Sequence, residues 1–362
     1  MKISFIITLI FISIFEITSC NFAHNGDEVY PTVTSKYSLC VINSDGSNFQ
    51  EFGENYSSQY LFLVQNDEKL ILLNNDKLRI IDFASLNTIN EIPLNFYSII
   101  HADISQDYKY LVLSATTKTN MDIYLLNLTD FEITNLTNSP DQIENHPSFS
   151  HNNKIILYTT SPTQSVYGNQ TISTYDLVKK QSDVILQKPN HTDIWNIFNY
   201  PKFDLLDSNI YYIKHSLNQG IFDSLFEFSI KHSSYKLLYS NLSHLGPMKI
   251  SNNAGRAIFI TNDYPNQLIS LDLINYQANS ITALPEWGFD YSISNGTTDV
   301  AYVITIWKNK LDNQTVNKYT DYELWIANTN GSNKKFLSNG IKPTFTSDGS
   351  KIIFYKITHQ IY

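Results

Sequence analysis

The sequence predicts an all-β fold, a closed ring of seven four-stranded antiparallel blades, and three observations carry that prediction. A hairpin pattern recurs along the chain, its central strands are apolar on both faces, and a segment near the N-terminus matches the one that precedes the last hairpin. Units of roughly 40–50 residues holding several strands each are the sequence mark of propeller blades.

The repeat is clearest in two places. Residues 121–159 contain MDIYLLNL, EITNLTNSP and HPSFSHNNKIILYTT, and the same order returns near the C-terminus as DYELWIAN, NKKFLSNG and KPTFTSDGSKIIFYK. The apolar residue just before the hairpin turn recurs at Val64, Ile104, Phe149, Phe203, Ile250, Ile293 and Phe345, with spacings of 40, 45, 54, 47, 43 and 52 residues. The copies at Val64 and Phe203 are the most degenerate, and misreading either leaves six blades as the alternative.

Each element of a unit has a local cause. From Phe149 to Ile155 a short strand meets polar turn-formers and then a β-branched run, which makes a tight hairpin. Ser347 to Ser350 does the same, with Gly349 free to take a positive φ. The run Ile155-Ile156-Leu157-Tyr158 is apolar at every position, so its strand must be covered on both sides. A single blade cannot do this, and the copies therefore stack around an axis. At the ends, Tyr37 to Gly46 matches Leu324 to Gly331, and the chain stops just after the hairpin that begins at Phe345. The N- and C-terminal strands thus share one blade, which closes the ring and removes sheet edges.

Composition supports a large core and narrows the function. Tyr (24) and Phe (21) are abundant and charged residues make up only 16%, which excludes wholesale disorder. The net charge is −9 and the only arginines are Arg79 and Arg256, so the chain is poorly equipped to grip nucleic-acid phosphates.

Residues 1–19 read as an export signal: one early Lys, then an uncharged run from Ile3 to Phe15, shorter than the roughly 20 apolar residues a spanning helix needs. Residues 20–36 follow as a polar tether and 37–362 as the propeller. Ile17-Thr18-Ser19-Cys20 resembles the lipobox of bacterial lipoproteins, in which the Cys becomes the lipidated first residue; Glu16 departs from that pattern, and an ordinary secretory cut near Cys20 to Ala23 is the alternative. The expected location is extracytoplasmic and membrane-anchored, periplasmic or at the cell surface, or else secreted. Cys40, inside Leu39-Cys40-Val41-Ile42, is expected to be a small buried hydrophobe.

The units Asp122 to Asn127, Asn135-Leu136-Thr137, His146 to Ser150 and Pro343 to Phe354 resemble the TolB-type, WD-like propeller repeats. The resemblance covers most of residues 37–357. It implies a propeller and an extracytoplasmic protein-binding role, and it brings no catalytic residues with it. Most hairpin turns depart from the Pro-Asp-Gly of those repeats: His151-Asn152-Asn153 and Asn252-Asn253-Ala254 stand in its place.

A search for catalytic signatures finds no G-x-S-x-G elbow, no H-E-x-x-H, no phosphate-binding loop and no G-x-G-x-x-G. What remains is the channel. Residues just before each inner strand should line one mouth: His101, His146, Tyr200, Met248, Asp290 and Lys342. Two imidazoles and a carboxylate on one axis could hold a metal or act as an acid–base pair; solvated loop residues around a water-filled funnel are the plainer account. Asp122, Asp272 and Asn328 read as turn and backbone caps.

Trp195 and Trp287 fall in connections leading to inner strands and are candidate aromatic anchors, whereas Trp325 occupies a repeat-strand slot and reads as core. Insertions at 161–170, 214–223 and 308–320 are expected to project as polar loops. The function expected is a non-catalytic, membrane-tethered, monomeric binding module for a protein or peptide partner at the cell envelope, with no cofactor, metal or nucleic acid. The alternatives are a polysaccharide-active or hydrolytic enzyme using His101, His146 and Asp290, and a structural subunit that engages partners through its blade sides.

Overall fold

A computed structural model describes residues 33–361, apart from 54–55, 65, 118–119, 164–169, 188–195, 217–221, 242–243, 252–254, 262–264, 285–289, 296–298 and 313–314. The segment read as an export signal, Cys20 and most of the expected tether therefore lie outside the described residues. Those residues hold 28 strands and no helix.

Numbered in chain order, blade 1 comprises β3 (Tyr60–Val64), β4 (Lys69–Leu73), β5 (Lys77–Asp82) and β6 (Thr88–Pro93). Blade 2 comprises β7 (Ser98–Ile104), β8 (Tyr110–Thr116), β9 (Met121–Asn127) and β10 (Ile133–Asn135). Blade 3 is β11 (Gln142–Phe149), β12 (Ile155–Pro162), β13 (Thr171–Asp176) and β14 (Gln181–Gln187). Blade 4 is β15 (Asn196–Phe203), β16 (Asn209–Ser216), β17 (Phe222–Ser229) and β18 (Ser234–Asn241). Blade 5 is β19 (Lys249–Ile250), β20 (Arg256–Thr261), β21 (Asn266–Asp272) and β22 (Ala278–Leu284), and blade 6 is β23 (Tyr291–Ile293), β24 (Asp299–Asp312), β25 (Thr315–Asn328) and β26 (Lys335–Asn339).

The seventh blade joins the ends: β27 (Ile341–Phe345) and β28 (Lys351–Ile361) pair with β1 (Val33–Asn43) and β2 (Gln50–Glu51) in the order β2-β1-β28-β27. Eleven register pairs run from Val33↔Ile361 to Asn43↔Lys351. The fold is thus the seven-bladed propeller with a shared closing blade, and each of the seven expected anchors ends the first strand of its blade.

The apolar strands behave as their composition requires. In β4, Leu70 and Leu72 join a core shared with blades 6 and 7, while Ile71 and Leu73 join one shared with blade 2. In β12, Ile156 packs with Val112 and Ile123 of blade 2, and Leu157 with Phe198, Phe203 and Tyr212 of blade 4. Alternate side chains thus face opposite neighbours, and each fully buried one contributes about 1.5–3 kcal/mol. Cys40 is likewise fully buried, and burial pushes its thiol up to about 12.

The hairpin turns use the left-handed backbone region without a glycine at most positions. Gly349 has φ 71°, and the corresponding place in blade 3 is taken by Asn153 at 58°. Asn is among the few residues that tolerate this region, and here its Oδ1 also accepts from the backbone N–H of Gln106 in blade 2 at 2.8 Å. Two expectations are corrected. Of the polar loop expected at 214–223, residues 214–216 and 222–223 are paired strand in β16 and β17, with His215 and Asp223 buried, and 217–221 lie outside the described residues. Residues 308–320 are no free loop: β24 and β25 continue through them as a paired ribbon from Asp299↔Asn328 to Asp312↔Thr315. The apolar, β-branched run Val300 to Trp307 favours a long strand, and no Gly or Pro interrupts it before Asp312.

Candidate functional site

The first strands of successive blades contact one another, β7 with β11, β11 with β15, β23 with β27 and β27 with β3, which places them around the axis. Several carry a bulge at the same level. Register shifts fall between Ile99 and His101, Asn145 and Ser148, Asn199 and Lys202, and Ile341 and Thr344. At three of these bulges a non-glycine residue takes a left-handed backbone: His146 at φ 52°, Tyr200 at 51° and Lys342 at 55°. The next residue is Pro147, Pro201 or Pro343. Proline has no N–H to give a ladder, so within a sheet it belongs at an edge or a bulge. The dipeptide therefore turns one side chain per blade out of the sheet plane at the axis.

His101, His146 and Tyr200 are brought together. The His101 and His146 ring centroids lie 4.3 Å apart, and Tyr200 stands edge-on to both, 4.5 Å from His146 and 5.9 Å from His101. Three consecutive blades thus contribute one aromatic cluster. His101 Nδ1 is 2.7 Å from Asn145 Oδ1, and His146 Nδ1 is 3.2 Å from Thr159 Oγ1. Burial lowers the His101 imidazole to about 4, with the Lys202 charge adding to the effect and the Asn145 hydrogen bond opposing it. His146 is held well below its ordinary value by burial first, then by His101 and Lys202. Both rings are therefore neutral at pH 7. Burial, with a smaller contribution from Asp223, pushes the Tyr200 hydroxyl up to about 12.

The remaining blades contribute cations. Lys342 Nζ donates to the carbonyls of Ser58 and Gln59 of blade 1 at 2.9 and 3.1 Å, and its backbone N–H donates to Asp290 Oδ2 at 3.3 Å. Lys249 Nζ donates to the Tyr291 carbonyl and lies 5.1 Å from the Tyr291 ring. Lys202 of blade 4 pairs at 3.2 Å with Asp103 of blade 2, whose same Oδ2 accepts from Phe149 N in blade 3. Burial lowers Lys249 and Lys342, and Asp290 opposes this in both.

Of the residues expected at the mouth, His101, His146 and Tyr200 meet one another, whereas Asp290 is engaged with Lys342 on the blade 6–7 side. Among the described residues, His101, His146 and Asp290 do not form a convergent set of ligand atoms. Met248 is buried in the core of blades 4 and 5, and the neighbouring Lys249 takes its expected place. Trp195 and Trp287 lie outside the described residues. Trp325 packs partly buried on the blade 5–6 core, its Nε1 donating to Glu323 Oε2 at 3.0 Å.

Sequence reasoning missed Lys202, Lys249 and Asp103. The signal was their shared repeat position: each stands immediately before an anchor, Phe203, Ile250 or Ile104.

No family model matches the sequence, and no curated protein matches it. Solved structures do. A TolB structure from Agrobacterium tumefaciens is 12% identical with a TM-score of 0.50, over 90% of this chain and 99% of that one. An oligogalacturonate lyase in complex with manganese is 10% identical with a TM-score of 0.58, over 92% and 97%. The β-propeller domain of Cps50 (Swd1) from Myceliophteria thermophila is 10% identical with a TM-score of 0.53, over 83% and 97%. Proteins with such different names share the architecture, so what the likeness carries is fold. What the chain shares with them is the seven-bladed β-propeller architecture.

Proposed function

We propose that the protein is an exported, membrane-tethered binding module whose channel mouth receives a protein or peptide segment at the cell envelope. The observation that supports this reading best is the aromatic cluster of His101, His146 and Tyr200. Its two imidazoles are neutral, in tilted contact with each other and hydrogen-bonded at Nδ1, and no carboxylate joins them as a third ligand or proton partner among the described residues. Such a cluster offers ring faces and edges, which suit aromatic, apolar or backbone amide groups of a segment entering the funnel. Lys202, Lys249 and Lys342 add positive charge for a carboxylate on that segment. The tether is attributed to Cys20, with residues 1–19 removed on export. Trp195 and Trp287 are assigned to the same docking face as further anchors.

The test is capture of envelope proteins by the immobilised chain, with partners identified by cross-linking and mass spectrometry. Tyr200→Ala and His146→Ala are expected to reduce capture of a specific partner at least tenfold; capture unchanged by both overturns the site. Mass spectrometry of the mature N-terminus reads the tether, and an unmodified start at Asn21 overturns it.

The enzyme alternative rests on the similarity to the oligogalacturonate lyase and on the same three lysines, a charge pattern suited to an acidic sugar chain. It is read by incubating the chain with oligogalacturonides and manganese and following unsaturated product. Product formation that is lost in Lys249→Met would replace the binding reading.

A further inference from the structure

A second cluster, on blade 4, takes no part in the proposed docking site beyond the Asp223 charge that acts on Tyr200. His215 and Asp223 are register partners across the β16–β17 hairpin, so their side chains leave the sheet on the same face. Both are buried. His244 arrives from the connection between β18 and β19, with its side chain half-exposed. His215 Nδ1 is hydrogen-bonded to Asp223 Oδ1; His244 Nδ1 lies 3.2 Å from His215 Nδ1 and 3.8 Å from Asp223 Oδ2. One ligand atom from each of the three lies within 4.8 Å of the others.

Two features set this arrangement apart from an ordinary hydrogen-bonded trio. First, the two Nδ1 atoms lie side by side on the same carboxylate, with the imidazoles stacked at 4.4 Å and 16° between planes. Both Nδ1 atoms therefore draw on one carboxylate, His215 on Oδ1 and His244 on Oδ2, and lie close enough to each other to share one ion. Two nitrogens each 2.0–2.1 Å from one tetrahedral ion would lie about 3.3 Å apart, close to the spacing found. Second, the carboxylate is held from behind: Asp223 Oδ2 accepts from the backbone N–H of Leu245 at 2.6 Å, the kind of outer hydrogen bond that orients a ligating carboxylate.

Blade 2 supplies an internal control. Asp122 occupies the same place as Asp223, second in the third strand of its blade, and accepts likewise from the connection to the next blade, at Ser139 N. Its register partner is Ala115, where Asp223 has His215. The carboxylate thus belongs to the repeat, and the two histidines are added to it in blade 4 alone of the pair.

We infer that His215, Asp223 and His244 form a binding site for one first-row divalent cation of the zinc class, with a fourth position open to water on the His244 side. The donor set of two imidazoles and one carboxylate suits a borderline ion, and three protein ligands with one free place is the pattern of an open site.

The experiment uses the full chain without a polyhistidine tag, stripped with chelator and titrated with zinc by calorimetry, then with cobalt to read the visible bands of a tetrahedral site. One equivalent is expected to bind, with raised thermal stability. His244→Ala should weaken binding at least 100-fold and abolish the cobalt bands while leaving the melting temperature of the metal-free chain unchanged. Asp223→Asn should weaken binding as well, and His146→Ala should not. No saturable binding, binding unaffected by His244→Ala, or binding lost in His146→Ala would each overturn the site.

Discussion

Blades 2 and 4 place an aspartate in one and the same slot and surround it with opposite chemistry. Asp122 is almost fully buried and accepts from Asn120 Nδ2 at 3.1 Å, Asn135 Nδ2 at 2.9 Å and Ser139 N at 3.1 Å. Asp223 accepts from Leu245 N but meets two imidazoles where Asp122 meets two amides. The amides can only donate to the carboxylate, so blade 2 has a tie that fastens the connection to the next blade. An imidazole has a nitrogen that can also accept or ligate, so blade 4 has converging lone pairs. A repeat protein can therefore turn a structural device into a candidate site by changing the neighbours and keeping the carboxylate.

The largest expected effect breaks the tie itself. Asp122→Ala removes three hydrogen bonds to a charged acceptor and leaves the part-buried Ser139 N–H without its acceptor, a loss on the order of 3 kcal/mol. Urea denaturation reads it directly. A loss no greater than that of an exposed substitution would mean that the slot does not fasten the blades, and the contrast with Asp223 would lose its basis.

The next effect concerns a second carboxylate on the blade 2 side. Glu144 of blade 3 is buried, and burial pushes its carboxyl up to about 7, with the nearby Asp122 charge adding and a Ser139 hydrogen bond opposing. Its Oε2 has no hydrogen-bond partner. Between the ordinary value near 4.5 and 7 the unfolded chain gives up this proton while the folded chain keeps it. Stability from this group is therefore present below about 4.5 and falls as the pH rises through 7. Glu144→Gln removes the penalty. It is expected to raise stability by about 1–2 kcal/mol at pH 8 and by little at pH 5, as read from melting curves at both. An equal gain at the two values would show that Glu144 titrates normally and that the two slots do not differ in this respect.

How much of this was legible in the sequence follows from which residues speak through periodicity. The anchors Val64 to Phe345 recur because each must fill the same gap between blades, so the ring, its closure and even the degenerate copies at Val64 and Phe203 could be read from spacing. His146, Tyr200 and Lys342 were placed at the channel because they stand near the entry of an inner strand; the bulge that turns each of them shows only in the strand register. Asp122 and Asp272 were recognised as caps for a similar reason: short carboxylates near strand ends accept from nearby N–H groups, as Asp272 does from Ile274 and Asn275. His215 and His244 had no such signal. They are 29 residues apart, one in a strand and one in a connection, and only the hairpin register and the path into β19 bring them together. Lys249 was missed for a simpler reason, since a one-residue choice between Met248 and Lys249 decides which side chain faces the axis, and alternation alone does not fix that phase.

The smallest effects sharpen the contrast most, because they compare the visiting side chains and leave the carboxylates in place. Asn135 donates to Asp122 Oδ2 and its own Oδ1 accepts from Thr137 N at 3.2 Å and Asn138 N at 3.0 Å, so Asn135→Ala should cost about 1 kcal/mol. His244, half-exposed beside Asp223, fastens nothing that the Leu245 N–H does not already hold. His244→Ala in metal-free protein should therefore change stability by less than about 0.5 kcal/mol. Denaturation of the two variants side by side gives the answer. A cost for His244→Ala as large as for Asn135→Ala would make the imidazole a structural tie like the amide, and blades 2 and 4 would then use the slot in the same way.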